Sequence, residues 1–284
     1  MDLCKILLIC LPWLPAVVRL QPSQADTAAK YQAKIDKVFA VNDRVRDIHP
    51  VLQKVYPIAL AEDKSVYIFE PDQVARKYRL AATVPDPYNL PKGIRAAMPL
   101  GFWNNRTACV ISGEIFDEAD GYVMMFHEFV HCAQAEICEQ KIKENLQIYQ
   151  EAMKKKDYSW ELQYPFPYGD DAFVRTYGAL LKALENADGS QVQALRARLR
   201  DSMTRPQWEY MTWQQWKEGF ARFLENRMRS RLGLAENTGG AKTPFSRISF
   251  YYGGDRLIRF ITGQDETVAE NIQLLYSRIS GADK

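Results

Sequence analysis

Gly121-Tyr122-Val123-Met124-Met125-Phe126-His127-Glu128-Phe129-Val130-His131-Cys132-Ala133-Gln134 is the stretch on which the reading of this chain turns. Tyr122, Phe126, Phe129, Val130, Ala133 and, further on, Ile137 recur at helical spacing, and Asp120 can cap the start, so a helix is expected over about 120–140. His127 and His131 then fall four residues apart on the opposite sector, together with Gln134. Two imidazoles at i and i+4 on a helix point the same way and can reach one metal ion, and Glu128 beside them is placed to act as a general base. The chain has only 3 histidines, and two of them stand in this pattern.

A catalytic zinc takes three protein ligands and keeps one position open for water. The remaining histidine, His49 before Pro50, reads as structural, so the third ligand is expected to be a carboxylate. The segment Trp216-Lys217-Glu218-Gly219-Phe220-Ala221-Arg222-Phe223-Leu224-Glu225 supplies it. Trp213, Trp216, Phe220, Phe223 and Leu224 form the apolar stripe of a second helix, and Glu218 and Glu225, seven residues apart, share a face away from it. Glu218 is the expected ligand.

Outside these two helices the pattern is mostly helical. Helices are expected over about 27–62 with a break at Pro50, and over 144–156, 171–187, 190–203, 207–231 and 265–280. Short strands are expected at Ser65–Glu70 and Thr107–Ser112, where β-branched and aromatic residues cluster. The proline-rich 83–101 and the Gly239-Gly240 region read as loops. Asp170-Asp171 reads as a helix cap. Few strands followed by many helices give an α+β, predominantly helical protein, its strands within about 63–115 and its helical part over 116–284.

Composition bounds the rest. The 284 residues are 47% hydrophobic and 25% charged, proportions of a globular chain with a substantial core. A formal charge of +2 lacks the basic excess on which nucleic-acid binding depends, so no nucleic-acid partner is expected. Residues 1–25 read as a cleaved signal peptide, with Lys5 ahead of the apolar run Ile6–Val18 and small residues at Ser23 and Ala25. That run is shorter than the roughly 20 residues a bilayer span needs, and no later stretch replaces it. The expected product is one domain, 26–284, secreted or periplasmic, with no membrane span. Its cysteines are Cys109, Cys132 and Cys138. The last two, six residues apart on one helix, lie about 9 Å apart along its axis and cannot bridge, so any disulfide uses Cys109 unless the helix breaks. The other reading is three buried thiols.

H-E-x-x-H followed by W-x-E-G-x-A-x-x-x-E resembles the gluzincin zinc metallopeptidases, closest to their aminopeptidase N-like branch. The likeness covers about 120–260 and is carried by the two motifs. It implies a zincin-like catalytic domain with one Zn²⁺ per chain, held by His127, His131 and Glu218. Glu225 matches the family's second, non-ligand glutamate. The resemblance further implies a peptide or protein substrate, Glu128 as general base, and a tyrosine from Ser249-Phe250-Tyr251-Tyr252-Gly253-Gly254 steadying the oxyanion, with Tyr252 preferred over Tyr251. Strand 107–112 would line the cleft and pair with an extended peptide.

The spacing from His131 to Glu218 is far longer than is usual in that branch. Asn104 stands where such aminopeptidases carry the glutamate of G-x-M-E-N, and Arg222 stands where the thermolysin-like branch has an aspartate. Arg247 and Arg256 are further candidates for a substrate carboxylate. Two other functions are compatible with the sequence: an inactive exported binding protein on the same scaffold, and a zinc hydrolase of a non-protein substrate.

Overall fold

The computed structural model describes residues 22–281. The leader expected over 1–25 falls, up to residue 21, outside the described residues. The chain is α+β: a small mixed sheet of five strands and a larger helical part. Helix α1 (Pro22–Val45) leads through a single 3-10 turn to β1 (Ile58–Glu62). Strands β2 (Ser65–Asp72), β3 (Lys77–Pro85), β4 (Arg95–Leu100) and β5 (Arg106–Ser112) complete a sheet of order β3-β2-β1-β5-β4. All neighbours are antiparallel except β1 and β5, which run parallel with Ile58 opposite Cys109.

Two expectations are corrected here. The helix read over 27–62 ends at Val45, and Ile58-Ala59-Leu60-Ala61-Glu62 is the central strand β1. These residues are good helix formers, but both faces of the segment are buried in the sheet, and packing outweighs a weak local preference. The proline-rich 83–101 is a loop only in its middle, because β3 runs to Pro85 and β4 contains Pro99. Pro99 is tolerated because β4 is an edge strand and lacks a neighbour on one side. Asn104 and Asn105, both at φ 55°, end the five-residue connection from β4 to β5, a left-handed conformation that asparagine tolerates better than most residues.

Alternation along the strands divides the core. Ile58, Leu60, Tyr67, Phe69, Cys109 and Ile111 face the helices, whereas Ala59, Val66, Ile68, Ala108 and Val110 join Leu100 in a smaller apolar layer on the opposite face. Helix α2 (Gly121–Gln134) packs against β4 and β5 on the helical side. It does not stop there: a π turn over Ala135–Glu139 leads directly into α3 (Gln140–Lys143). The extra residue of the π turn rotates the following side chains, which leaves Ile137 50% exposed although it was expected on the buried stripe. Asp120 precedes α2 without a side-chain cap bond; its carboxylate pairs with Arg229.

The helical part continues with α4 (Gln147–Lys155), α5 (Trp160–Gln163), α6 (Asp171–Glu185), α7 (Gly189–Ser202), α8 (Arg205–Leu232), α9 (Arg247–Thr262) and α10 (Ile272–Ser280). Asp170 caps α6 by accepting from Phe173 N at 2.8 Å, as expected. The helix read over 265–280 is a 3-10 turn followed by α10, and α9 is a helix absent from the sequence reading. Helices α8 and α9 meet at Gly219 and Gly254; a Cβ on Gly254 would lie 2.3 Å from the Gln215 carbonyl. Only glycine permits that approach, and it brings the first turns of α9 beside Glu218. Cys109, Cys132 and Cys138 are buried free thiols. No helix among the described residues is long and apolar enough to cross a membrane.

Candidate metal centre

Helix α2 supplies two donors and α8 the third. His131 Nε2 lies 3.4 Å and His127 Nε2 3.7 Å from Glu218 Oε2. All three donor atoms fall within 4.8 Å of one another. Ligands at about 2.0–2.1 Å in a tetrahedral site stand roughly 3.3 Å apart, so little movement would let these atoms close on one ion. The two imidazole rings are set edge to face, 77° apart. His127, His131 and Glu128 are buried, and 15% of the Glu218 side chain is exposed. The group could hold a metal ion, and nitrogen–nitrogen–oxygen donors with one side left open suit that purpose.

The far side of each imidazole is fixed. His127 Nδ1 donates to Glu225 Oε2 at 3.0 Å, and His131 Nδ1 donates to Gln134 Oε1 at 2.8 Å. With Nδ1 carrying a hydrogen, Nε2 is the atom each ring has left to offer a metal ion, the usual way an outer partner sets a ligand's tautomer. Gln134 Nε2 donates in turn to the carbonyls of Trp216 (3.3 Å) and Lys217 (3.2 Å), tying α2 to α8 beside Glu218. Gln134 was placed by its spacing on the face of the two histidines, but its partners lie on another helix and carry no sequence signal.

Glu225 is fully buried and accepts from four groups: His127, Arg222 Nε (3.1 Å), Arg229 Nε (2.8 Å) and Asn237 Nδ2 (2.8 Å). Arg222 also donates to Asn237 Oδ1 at 2.9 Å. The carboxylate that holds His127 thus lies seven residues after Glu218, and Arg222, four residues after it, braces that carboxylate.

Charge follows geometry. Burial pulls the His127 imidazole down, but the carboxylates of Glu218 and Glu225 on its two nitrogens outweigh burial and raise it to about 10. Burial raises Glu218 and Glu225, yet the imidazoles bring both well below the carboxylate range, with Arg222 adding to the effect at Glu225. Behind Glu218, Lys217 binds Glu139 (3.1 Å) and Glu161 (3.0 Å), while Lys143 binds the same two acids at 2.5 and 2.8 Å. This quartet joins the π turn to α8. It forms because the π turn aims Glu139 inward.

The two tyrosines separate. Tyr252 donates to Glu185 Oε1 at 2.7 Å and stacks under Arg256, which is itself paired with Glu236 at 3.0 Å. Tyr251 is the one beside the metal centre: Arg247 donates to its hydroxyl, and burial followed by the nearby Glu218 carboxylate raises its phenol. Tyr252, the expected residue, thus faces Glu185 and Tyr251 faces Glu218, since neighbouring helix positions point about 100° apart. His49 is structural as expected, with Nε2 donating to Ala269 O at 2.9 Å and Nδ1 accepting from Val51 N at 3.2 Å. Strand β5, expected to pair with a peptide, has β1 and β4 on its two sides and offers no free edge.

Fold and site together define an α+β protein with a buried His-His-Glu group fit for a metal ion. Comparison with known protein families, with curated proteins and with solved structures finds no match to this chain.

Proposed function

We propose that this chain is an exported zinc peptidase of the gluzincin type, with a zincin-like catalytic domain and His127, His131 and Glu218 as the zinc ligands. The observation that carries the reading is the convergence of these three donors from two helices, with Glu128 next to the first of them in the same buried turn. Zinc bound there supplies a Lewis acid that polarises a carbonyl and lowers the pKa of water to about 7. Glu128 accepts the proton from the attacking water and passes it to the leaving amine. Glu225 and Gln134 keep both imidazoles in the donor tautomer throughout. Tyr251 donates its phenolic hydrogen to the oxygen on which negative charge develops, while Arg247 holds its hydroxyl in place. An extended peptide pairs with the free side of β4, the edge strand against which α2 packs.

The test is Glu128→Gln. That variant keeps one zinc per chain and loses about 10²–10⁴-fold of peptide hydrolysis, the usual worth of a general base. Wild-type turnover in zinc-loaded Glu128→Gln refutes the mechanism.

A further inference from the structure

Four arginines stand around the metal centre and the adjoining turns of α9. Three of them are neutralised: Arg222 and Arg229 by Glu225 and Arg256 by Glu236, each with a carboxylate oxygen within 3.1 Å. Arg247 differs. The carboxylate oxygen paired with it is Glu218 Oε1 at 3.8 Å, beyond hydrogen-bond distance. One of its N–H groups goes to the Tyr251 hydroxyl, and a guanidinium has five. The side chain lies over the Tyr251 ring and is 28% exposed.

Its place on the helix adds a second observation. Arg247 is the first residue of α9, and no acidic residue lies in that first turn. A cation there works against the helix dipole, which favours an anion at an N-terminus. Guanidinium and helix end thus present positive potential to the same space. Glu218 turns Oε2 towards the imidazoles and Oε1 towards Arg247.

Resting on the peptidase reading above, the geometry points to Arg247, beside the ligand carboxylate of Glu218, as the receptor for a substrate carboxylate close to the cleaved bond. Two sources present that chemistry: the free C-terminus of a peptide, and an aspartate side chain within one. The forked guanidinium suits either, because it can bind both oxygens at once.

The experiment uses calorimetric binding to zinc-loaded Glu128→Gln protein, in which hydrolysis does not intervene. Three acetylated tripeptides serve as probes: one with a free C-terminus, its C-terminal amide, and an amide ending in aspartate. The free acid is expected to bind at least tenfold more tightly than its amide. Adding Arg247→Gln abolishes the difference at unchanged zinc content, and Arg247→Lys restores only part of it, since an ammonium lacks the fork. Recovery of tight binding by the aspartyl amide assigns the site to a side chain, and failure to recover assigns it to the chain terminus. Equal binding of all three probes, or a preference for a carboxylate that survives Arg247→Gln, overturns the inference and leaves the peptidase reading standing if wild-type protein still cleaves peptides. If zinc-loaded protein binds none of the three and cleaves no peptide, both fall.

Discussion

Replacing Glu225 by glutamine removes a charge without changing shape, at the point where the metal centre is braced. The carboxylate is fully buried and receives hydrogen bonds from His127, Arg222, Arg229 and Asn237. Glutamine offers one acceptor oxygen and turns an NH₂ group against donors, leaving Arg222 without its anion and Arg229 with Asp120 alone. Breaking a buried ion pair from one side costs about 3–5 kcal/mol. At roughly 2–4 °C per kcal/mol for a large domain, the melting temperature of metal-free protein should fall by about 6–20 °C. Zinc affinity should fall by about 10–100-fold, the usual effect of losing a ligand's outer partner. Thermal unfolding in EDTA reads the first number, and competition for zinc with a chromogenic chelator reads the second. A Glu225→Gln protein that melts within about 2 °C of wild type and binds zinc equally well would refute the role given to this residue.

Further outcomes follow from the same geometry. In metal-free protein His127 is raised to about 10 and is protonated at neutral pH, so zinc must displace a proton, and apparent affinity should rise about tenfold per pH unit from about 7 to 9; affinity flat across that range contradicts it. Because the imidazole is raised above its ordinary value, its contribution to the stability of metal-free protein is complete below about 6.5 and is lost as pH climbs through about 10, which melting curves across pH will show. Tyr251→Phe should cut kcat by about 10²–10³-fold at unchanged zinc content. Tyr252→Phe, which loses only a bond to Glu185, should cost about 1 kcal/mol of stability and leave kcat near wild type; the reverse pattern would return the oxyanion role to Tyr252.

Local patterns announced the helices that carry the donors and not the contacts that make a site of them. His127, His131 and Glu218 declared themselves because helical spacing fixes which side chains share a face, and the apolar stripes of α2 and α8 fixed which face was buried. Strands β2 and β5 were visible through their β-branched and aromatic content. Strand β1 was not, since Ala59, Leu60, Ala61 and Glu62 favour a helix until β2 and β5 enclose them. Strand β4 was hidden by Pro99, which only an edge position explains. The π turn that aims Glu139 at Lys217 leaves no trace in residue periodicity. Gln134 and Glu225 stood on the right faces, but their hold on the imidazoles depends on how α2 crosses α8. Tyr251 and Tyr252 are chemically identical neighbours, and the close approach of Gly254 to α8 decides which one reaches Glu218.

The most direct measurement is metal content. Protein purified without chelators from zinc-replete medium should contain one zinc per chain by elemental analysis, and His131→Ala should contain none. Wild-type protein that arrives metal-free and fails to take up added zinc, or a His131→Ala protein that retains a full equivalent, would contradict the account.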